Sequence, residues 1–158
     1  MSDLRVGIGV DAHAFSPATR LVLGGVELDG DGLAGHSDGD VIAHALIDAL
    51  LGAANLGDIG SLFPSDGSTP KGISSLELLR DAYGRVRAAG YELVNADCVL
   101  IGEKPRIADY RSEMARRLAD ALEVEPERVA IRATTTDRLG FTGRGEGLAA
   151  QAVALLRR

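Results

Sequence analysis

Residues 36–60 read HSDGDVIAHALIDALLGAANLGDIG, and the rest of the chain is arranged around them. Val41, Ile42, Ala45, Leu46, Ala49, Leu50 and Ala53 recur at the i, i+3, i+4, i+7 spacing of one helix face. This predicts an amphipathic helix ending near Gly57, with Ser37 or Asp38 as its N-cap. Asp40, His44 and Asp48 recur every four residues, so they form a polar stripe roughly opposite the apolar face. A helix with a complete apolar face needs no histidine for packing. His44 is therefore either a solvated surface residue or a metal ligand, with Asp40 and Asp48 as candidate supports for a ligand histidine. Backbone amides at a helix start favour an anion, and His36 and Ser37 stand there as candidate donors to a phosphate.

Upstream, Val6, Ile8 and Val10 alternate with Gly7 and Gly9 as in a short strand. Asp11 and His13 close it, and the two-residue period puts both side chains on one face. With His44 they make a set of two histidines and one carboxylate. Three protein ligands with an open fourth position is how catalytic zinc is held, and other divalent transition metals accept the same donors. The plainer reading is two polar residues ending a strand. Residues 21–28 read as a second strand, interrupted at Gly24-Gly25 by a bulge or close approach, with a turn over 29–32.

Downstream, residues 61–75 are rich in Pro, Gly and Ser and read as a loop, either a lid or disordered. Ser74 and Glu77 form a capping-box pattern before Leu76, Leu79, Tyr83 and Val86, with a stop at Gly90. Residues 91–101 read as a strand. Pro105 opens a third helix with Ile107, Tyr110, Met114, Leu118 and Ala121 on one face. Val129, Ile131, Ala133 and Thr135 alternate as a strand, and residues 139–147 form a glycine-rich loop. Residues 148–156 are ambiguous, and their Ala, Leu and Gln favour helix on propensity. This order predicts one α+β domain over residues 1–158, with helices on one face of a mixed sheet.

The 158 residues carry a net charge of −6, which argues against a nucleic-acid partner. An acidic chain that binds phosphates needs metal ions, helix N-termini or a few placed arginines. The single cysteine, Cys98, excludes an intrachain disulfide and reads as a buried, inert thiol. The N-terminus lacks the regions of a signal peptide, and no apolar run reaches membrane-spanning length, so a cytoplasmic protein with no membrane partner is expected. Two further stretches carry phosphate chemistry. Ala133-Thr134-Thr135-Thr136 offers hydroxyls and amides leaving a strand, with Asp137 beside them for a hard cation such as Mg²⁺. In the loop 140–147, Arg144 either clamps a diphosphate or pairs with Glu146; the loop lacks the P-loop ending.

Several motifs occur together and in order: Asp11-Ala12-His13, His36-Ser37-Asp38-Gly39-Asp40, His44, Leu56-Gly57-Asp58-Ile59-Gly60, Leu62-Phe63-Pro64, Thr134-Thr135-Thr136 and the run from Leu139 to Gly147. In this combination the chain resembles the 2-C-methyl-D-erythritol 2,4-cyclodiphosphate synthases of non-mevalonate isoprenoid (terpenoid) biosynthesis, from about Arg5 to Leu156. The resemblance implies a phosphorus–oxygen lyase. It would convert 4-diphosphocytidyl-2-C-methyl-D-erythritol 2-phosphate into the cyclic diphosphate and CMP by metal-assisted intramolecular phosphoryl transfer. It also implies a ferredoxin-like, mixed four-stranded sheet with helices on one face, a small extra hairpin, and a homotrimer with active sites between subunits. Residues 148–156 then become a strand, against their propensity.

Carried over by motif, Asp11, His13 and His44 would bind zinc or another divalent transition metal. His36 and Thr135 would stabilise the transition state. Asp11, Ala12, His13, His36 and Ser37 would meet the substrate, Asp58, Ile59 and Gly60 its erythritol part, with Phe63 and Pro64 nearby. Gly102, Lys104, Pro105 and Arg106, together with Ala133, Thr134, Thr135, Thr136 and Asp137, would hold the cytidine diphosphate from a neighbouring subunit. Asp137 would bind Mg²⁺ or Mn²⁺ bridging the substrate phosphates. Phe141 and Arg144 would line an axial cavity that accepts isoprenoid diphosphates. Three positions depart from the family's usual pattern. Asp137 stands in place of Glu and reaches about 1.5 Å less far. Ser65 stands in place of Asp, and Arg106 in place of Lys. Two other readings use the same residues: a metal-dependent phosphohydrolase, and a non-catalytic trimer that binds nucleotide or isoprenoid diphosphate.

Overall fold

A computed structural model of the chain describes residues 2–158. Strand β1 (Leu4–Ser16) is followed by the short strands β2 (Leu21–Leu23), β3 (Val26–Leu28) and β4 (Gly32–Leu33). Then come helices α1 (Val41–Ala53), α2 (Ile59–Leu62) and α3 (Ser75–Ala88), strand β5 (Glu92–Ile101), helix α4 (Arg111–Leu122), strand β6 (Val129–Thr134), helix α5 (Gly140–Gly143) and strand β7 (Gly147–Arg157). The main sheet has five strands in the order β4-β1-β7-β5-β6, antiparallel except for the parallel β5–β6 pair. The fifth strand, beyond the four expected, is the two-residue β4 on the end of β1. A separate β2–β3 hairpin is present, as expected. Helix α1 packs across β1 and β7, α3 packs on α1, and α4 packs on α3 and β6.

The alternation in β1 decides how closely α1 approaches the sheet. Gly7 and Gly9 face the helix, where an added Cβ would lie 2.0 Å from the Ala49 carbonyl oxygen and 1.9 Å from that of Ala45. No side chain fits in either place, so the helix backbone rests on bare strand. Val6, Ile8 and Val10 therefore point to the opposite face and are 70%, 60% and 63% exposed. The adjacent strand β7 meets the same demand with Leu148, Ala150, Ala152, Ala154 and Leu156, all buried. Helix-forming alanines sit here in a central strand because close helix packing needs small side chains, and that tertiary demand overrides propensity.

Helix α1 corrects the sequence reading in three ways. It has no solvated face: apart from Asp48 and Gly52 every residue is buried, including His44. Its N-cap is Asp40, not Ser37 or Asp38; the fully buried Asp40 carboxylate accepts from Ala43 N at 3.1 Å. The same carboxylate accepts from Gly24 N at 2.9 Å and Gly25 N at 2.7 Å. Gly24-Gly25 is thus a hairpin turn between two strands, not a bulge within one. Asp40 thus takes up amides at the helix start itself, and its side chain bonds to neither His13 nor His44, so the expected support role for Asp40 does not hold.

Other boundaries shift for local reasons. Asp11 and His13 lie inside β1, which runs three residues further because β4 and β7 continue to pair with it. Helix α2, capped by Asp58, takes the start of the expected 61–75 loop. Ser74 caps α3 through Leu76 N, and no side-chain bond from Glu77 completes the box. Helix α4 begins at Arg111, after a 3-10 turn over Ala108–Tyr110, which leaves Tyr110 exposed while Ile107, Met114, Leu118 and Ala121 are buried. Thr135 lies beyond the end of β6, and the glycine-rich loop holds α5. Cys98 is buried, and burial pushes its thiol up to about 12, as expected of an inert residue. Among the described residues no helix is long and apolar enough to cross a membrane.

Candidate metal centre and adjoining cavities

Asp11 and His13 project from β1 toward α1, and His44 projects from α1 toward them. The His13 Nε2 to Asp11 Oδ2 distance is 2.8 Å, His44 Nδ1 to Asp11 Oδ2 is 3.1 Å, and His13 Nε2 to His44 Nδ1 is 3.3 Å. Among the described residues this is the one group of His, Cys, Asp or Glu whose donor atoms converge this way. Ligand atoms in a tetrahedral site with bonds near 2.0 Å stand roughly 3.3 Å apart, so the triangle fits a divalent ion on its open side. The outer nitrogens fit as well. His13 Nδ1 lies 2.6 Å from the Ala34 carbonyl oxygen, and His44 Nε2 lies 3.0 Å from Ser37 Oγ and 2.8 Å from Ser75 Oγ. Two ring nitrogens converging on one carboxylate are a donor set built for a cation.

The electrostatics of the three side chains agree. Burial would raise the Asp11 carboxyl, but hydrogen bonds and charge from His13 and His44 outweigh it and hold it down to about 2. The Asp11 hydrogen bond raises His13 above the ordinary imidazole value, against the opposing effect of burial.

The three side chains lie on the wall of a cavity of about 170 Å³. His36, Ser37, Ile59, Gly60, Phe63, Ser65, Thr69 and Leu78 complete the lining. Several residues that the motifs singled out are therefore brought together: Asp11, His13, His36, Ser37, His44, Ile59, Gly60 and Phe63. His36 Nε2 lies 2.5 Å from the Thr69 carbonyl oxygen, and Gly72 N and Ile73 O bond to the backbone of 36–38. These bonds fasten the 63–74 loop over the cavity edge. Asp58 stays exposed and caps α2, while Ile59 N donates to Asp48 Oδ1 at 2.8 Å. Ala12 is exposed and Pro64 half-buried, and neither lines this cavity.

The residues expected around cytidine diphosphate gather elsewhere. Gly102, Pro105, Arg106, Ala133, Thr134 and Thr135 line a cavity of about 320 Å³ that shares no residue with the metal cavity. Lys104, with Arg106, Arg138 and Arg144, lines a larger neighbouring groove of about 900 Å³. Asp137 is exposed in left-handed backbone, and its side chain reaches Thr135 Oγ1. Thr136 bonds Leu139 O and Thr142 Oγ1, which shapes this turn. Arg144 pairs with Glu146, and Phe141 is partly exposed. The sequence reading missed Thr69 at the metal cavity and Ser75 behind His44. No spacing signal marks Ser75, because its partners Asp38 and His44 lie 37 and 31 positions away.

The layered sheet with a three-donor centre at a cavity wall defines an α+β protein of the metal-binding enzyme type. The chain belongs to the YgbB family, whose model matches residues 4–157, and the resemblance to the cyclodiphosphate synthases is borne out. It is 56% identical over 162 residues to the 2-C-methyl-D-erythritol 2,4-cyclodiphosphate synthase of Rubrobacter xylanophilus, covering all of this chain and 98% of that one. It is 54% identical to the bifunctional enzyme IspD/IspF of an Anaeromyxobacter species, covering 97% of this chain but only 40% of that longer one. The fold matches IspF of Plasmodium falciparum in a CDP complex with a TM-score of 0.85 and 29% identity, covering 97% of this chain and 95% of that one.

Proposed function

We infer that the chain performs the family's reaction. It closes 4-diphosphocytidyl-2-C-methyl-D-erythritol 2-phosphate into 2-C-methyl-D-erythritol 2,4-cyclodiphosphate and releases CMP. The observation that carries this reading is the Asp11–His13–His44 triangle on the wall of a cavity shared with His36, Ile59 and Gly60. An oxygen of the 2-phosphate attacks the β-phosphorus, a new P–O bond forms, and the bond to the CMP oxygen breaks. The nucleophile is already an anion and the leaving group is a phosphate, so no general base or acid is required. What the protein must supply is alignment and neutralisation of charge.

Asp11, His13 and His44 hold a divalent ion, zinc for preference. When bound, it supplies Lewis-acid polarisation of a phosphoryl oxygen. His36 and Thr135 donate to phosphate oxygens as charge builds up. Asp58, Ile59 and Gly60 hold the erythritol hydroxyls. The 102–106 and 133–137 segments hold the cytidine diphosphate, consistent with the CDP bound to the Plasmodium protein. Asp137 takes a second ion, Mg²⁺ or Mn²⁺, near the phosphates, and Phe141 and Arg144 face an axial cavity for isoprenoid diphosphate.

The two cavities of one chain are separate, which fits an active site completed by a neighbouring subunit. The exposed apolar stripe Val6, Ile8 and Val10, continued by Val153 on β7, fits burial in a homotrimer. On this reading residues 1–158 are one ferredoxin-like synthase domain working in the cytoplasm. The test is CMP release from the diphosphocytidyl substrate after chelation and stepwise return of Zn²⁺ and Mg²⁺. Turnover is expected only with the Zn²⁺-type site filled and is enhanced by Mg²⁺. Absence of turnover in every combination overturns the assignment.

A further inference from the structure

Behind His44, away from the metal face, lies a chain of polar groups that ends in a carboxylate. Ser75 is fully buried at the first position of α3. Its Oγ lies 2.8 Å from His44 Nε2 and 2.5 Å from Asp38 Oδ1. Asp38 grips the same residue a second time, accepting from Ser75 N through Oδ2 at 3.0 Å. An ionised carboxylate only accepts, so the single Ser75 hydroxyl proton goes to Asp38. The other neighbour of that hydroxyl, Ser37 Oγ, is further away at 3.4 Å. With its proton committed, Ser75 Oγ has only lone pairs to offer His44. A hydrogen on His44 Nε2 satisfies this contact, with Nε2 donating, and leaves the Nδ1 lone pair facing Asp11 and His13.

We propose that Ser75, held by Asp38, is a positioning residue that fixes His44 in the tautomer able to ligate the metal through Nδ1. The inference rests on the metal reading above. Ser37 Oγ, 3.0 Å from His44 Nε2, is a weaker second acceptor, since it also takes the Gly39 amide. Ser75 also joins the 63–74 loop to α3, so the same bonds tie the loop's end to the ligand histidine. Partners of this kind behind a metal-bound histidine are commonly worth about 10–100-fold in affinity.

The test uses the full chain with nitrogen-labelled histidine, loaded with Zn²⁺. In the unmodified protein, NMR should show His44 metallated at Nδ1, with a slowly exchanging proton on Nε2. Ser75→Ala should speed exchange of that proton and weaken Zn²⁺, measured by chelator competition, about 10–100-fold. Asp38→Asn should act in the same direction. Metallation of His44 through Nε2 overturns the proposal and needs no variant, so it stands even if Ser75→Ala misfolds. Unchanged Zn²⁺ affinity and proton exchange in both variants also overturns it. Failure of the unmodified protein to bind Zn²⁺ at all overturns the metal reading itself, and this inference with it.

Discussion

Histidine 13 carries the sharpest pH prediction. Its imidazole is raised above 6.5 by the Asp11 hydrogen bond in the ion-free protein. A divalent ion needs the neutral ring, so lowering the pH through that raised value makes protons compete with metal. Zn²⁺ affinity is expected to fall about tenfold per pH unit for each proton displaced, starting above the ordinary histidine value. The stability of the ion-free protein should move the opposite way. The gain from the charged His13–Asp11 pair is complete below 6.5 and is lost as pH rises through the raised value. Chelator competition and urea melts, run across the same pH series, check both signs. Asp40 makes a second prediction at this scale. It caps α1 and receives the Gly24 and Gly25 amides, so Asp40→Ala removes the cap and strands buried donors. Destabilisation of about 3 kcal/mol in urea is expected, with the ligand residues themselves untouched.

The contact between α1 and β1 determines whether the ligands meet at all, because Asp11 and His13 ride on the strand and His44 on the helix. Gly9→Ala would put a Cβ 1.9 Å from the Ala45 carbonyl oxygen. The helix must shift, costing about 1–3 kcal/mol and moving His44 away from Asp11. A lowered melting temperature together with weaker Zn²⁺ binding is the expected result. The same contact shows how far the elements were legible in the sequence. The i, i+3, i+4 spacing found α1, and the two-residue period put Asp11 and His13 on one face. That spacing could not show that Asp40 and His44 of the opposite stripe were buried too, since the Gly24-Gly25 turn and α3 reach them from a distance in sequence. Residues 148–156 looked helical because Ala and Leu form helices. They form a strand because α1 rests on them, and only the family resemblance signalled that. Ser75 was invisible for the same reason: its meaning comes from Asp38 and His44, which the fold carries to it.

For the molecule as a whole, helices cover one sheet face and leave Val6, Ile8 and Val10 bare on the other. If the proposed trimer assembles through that face, Val6→Asp converts it to monomers in sedimentation. CMP release should fall with it, since on the proposed reading the metal cavity of one subunit and the nucleotide cavity of the next make up one active site. A trimer unaffected by that charge would place the interface elsewhere. The central claim is intramolecular phosphoryl transfer, and the nature of the product tests it most directly. Turnover in heavy-oxygen water, followed by phosphorus NMR and mass spectrometry, should give cyclic diphosphate and CMP in equal amounts, with no solvent oxygen in either. Linear phosphates carrying solvent oxygen would show water to be the nucleophile and would contradict the account.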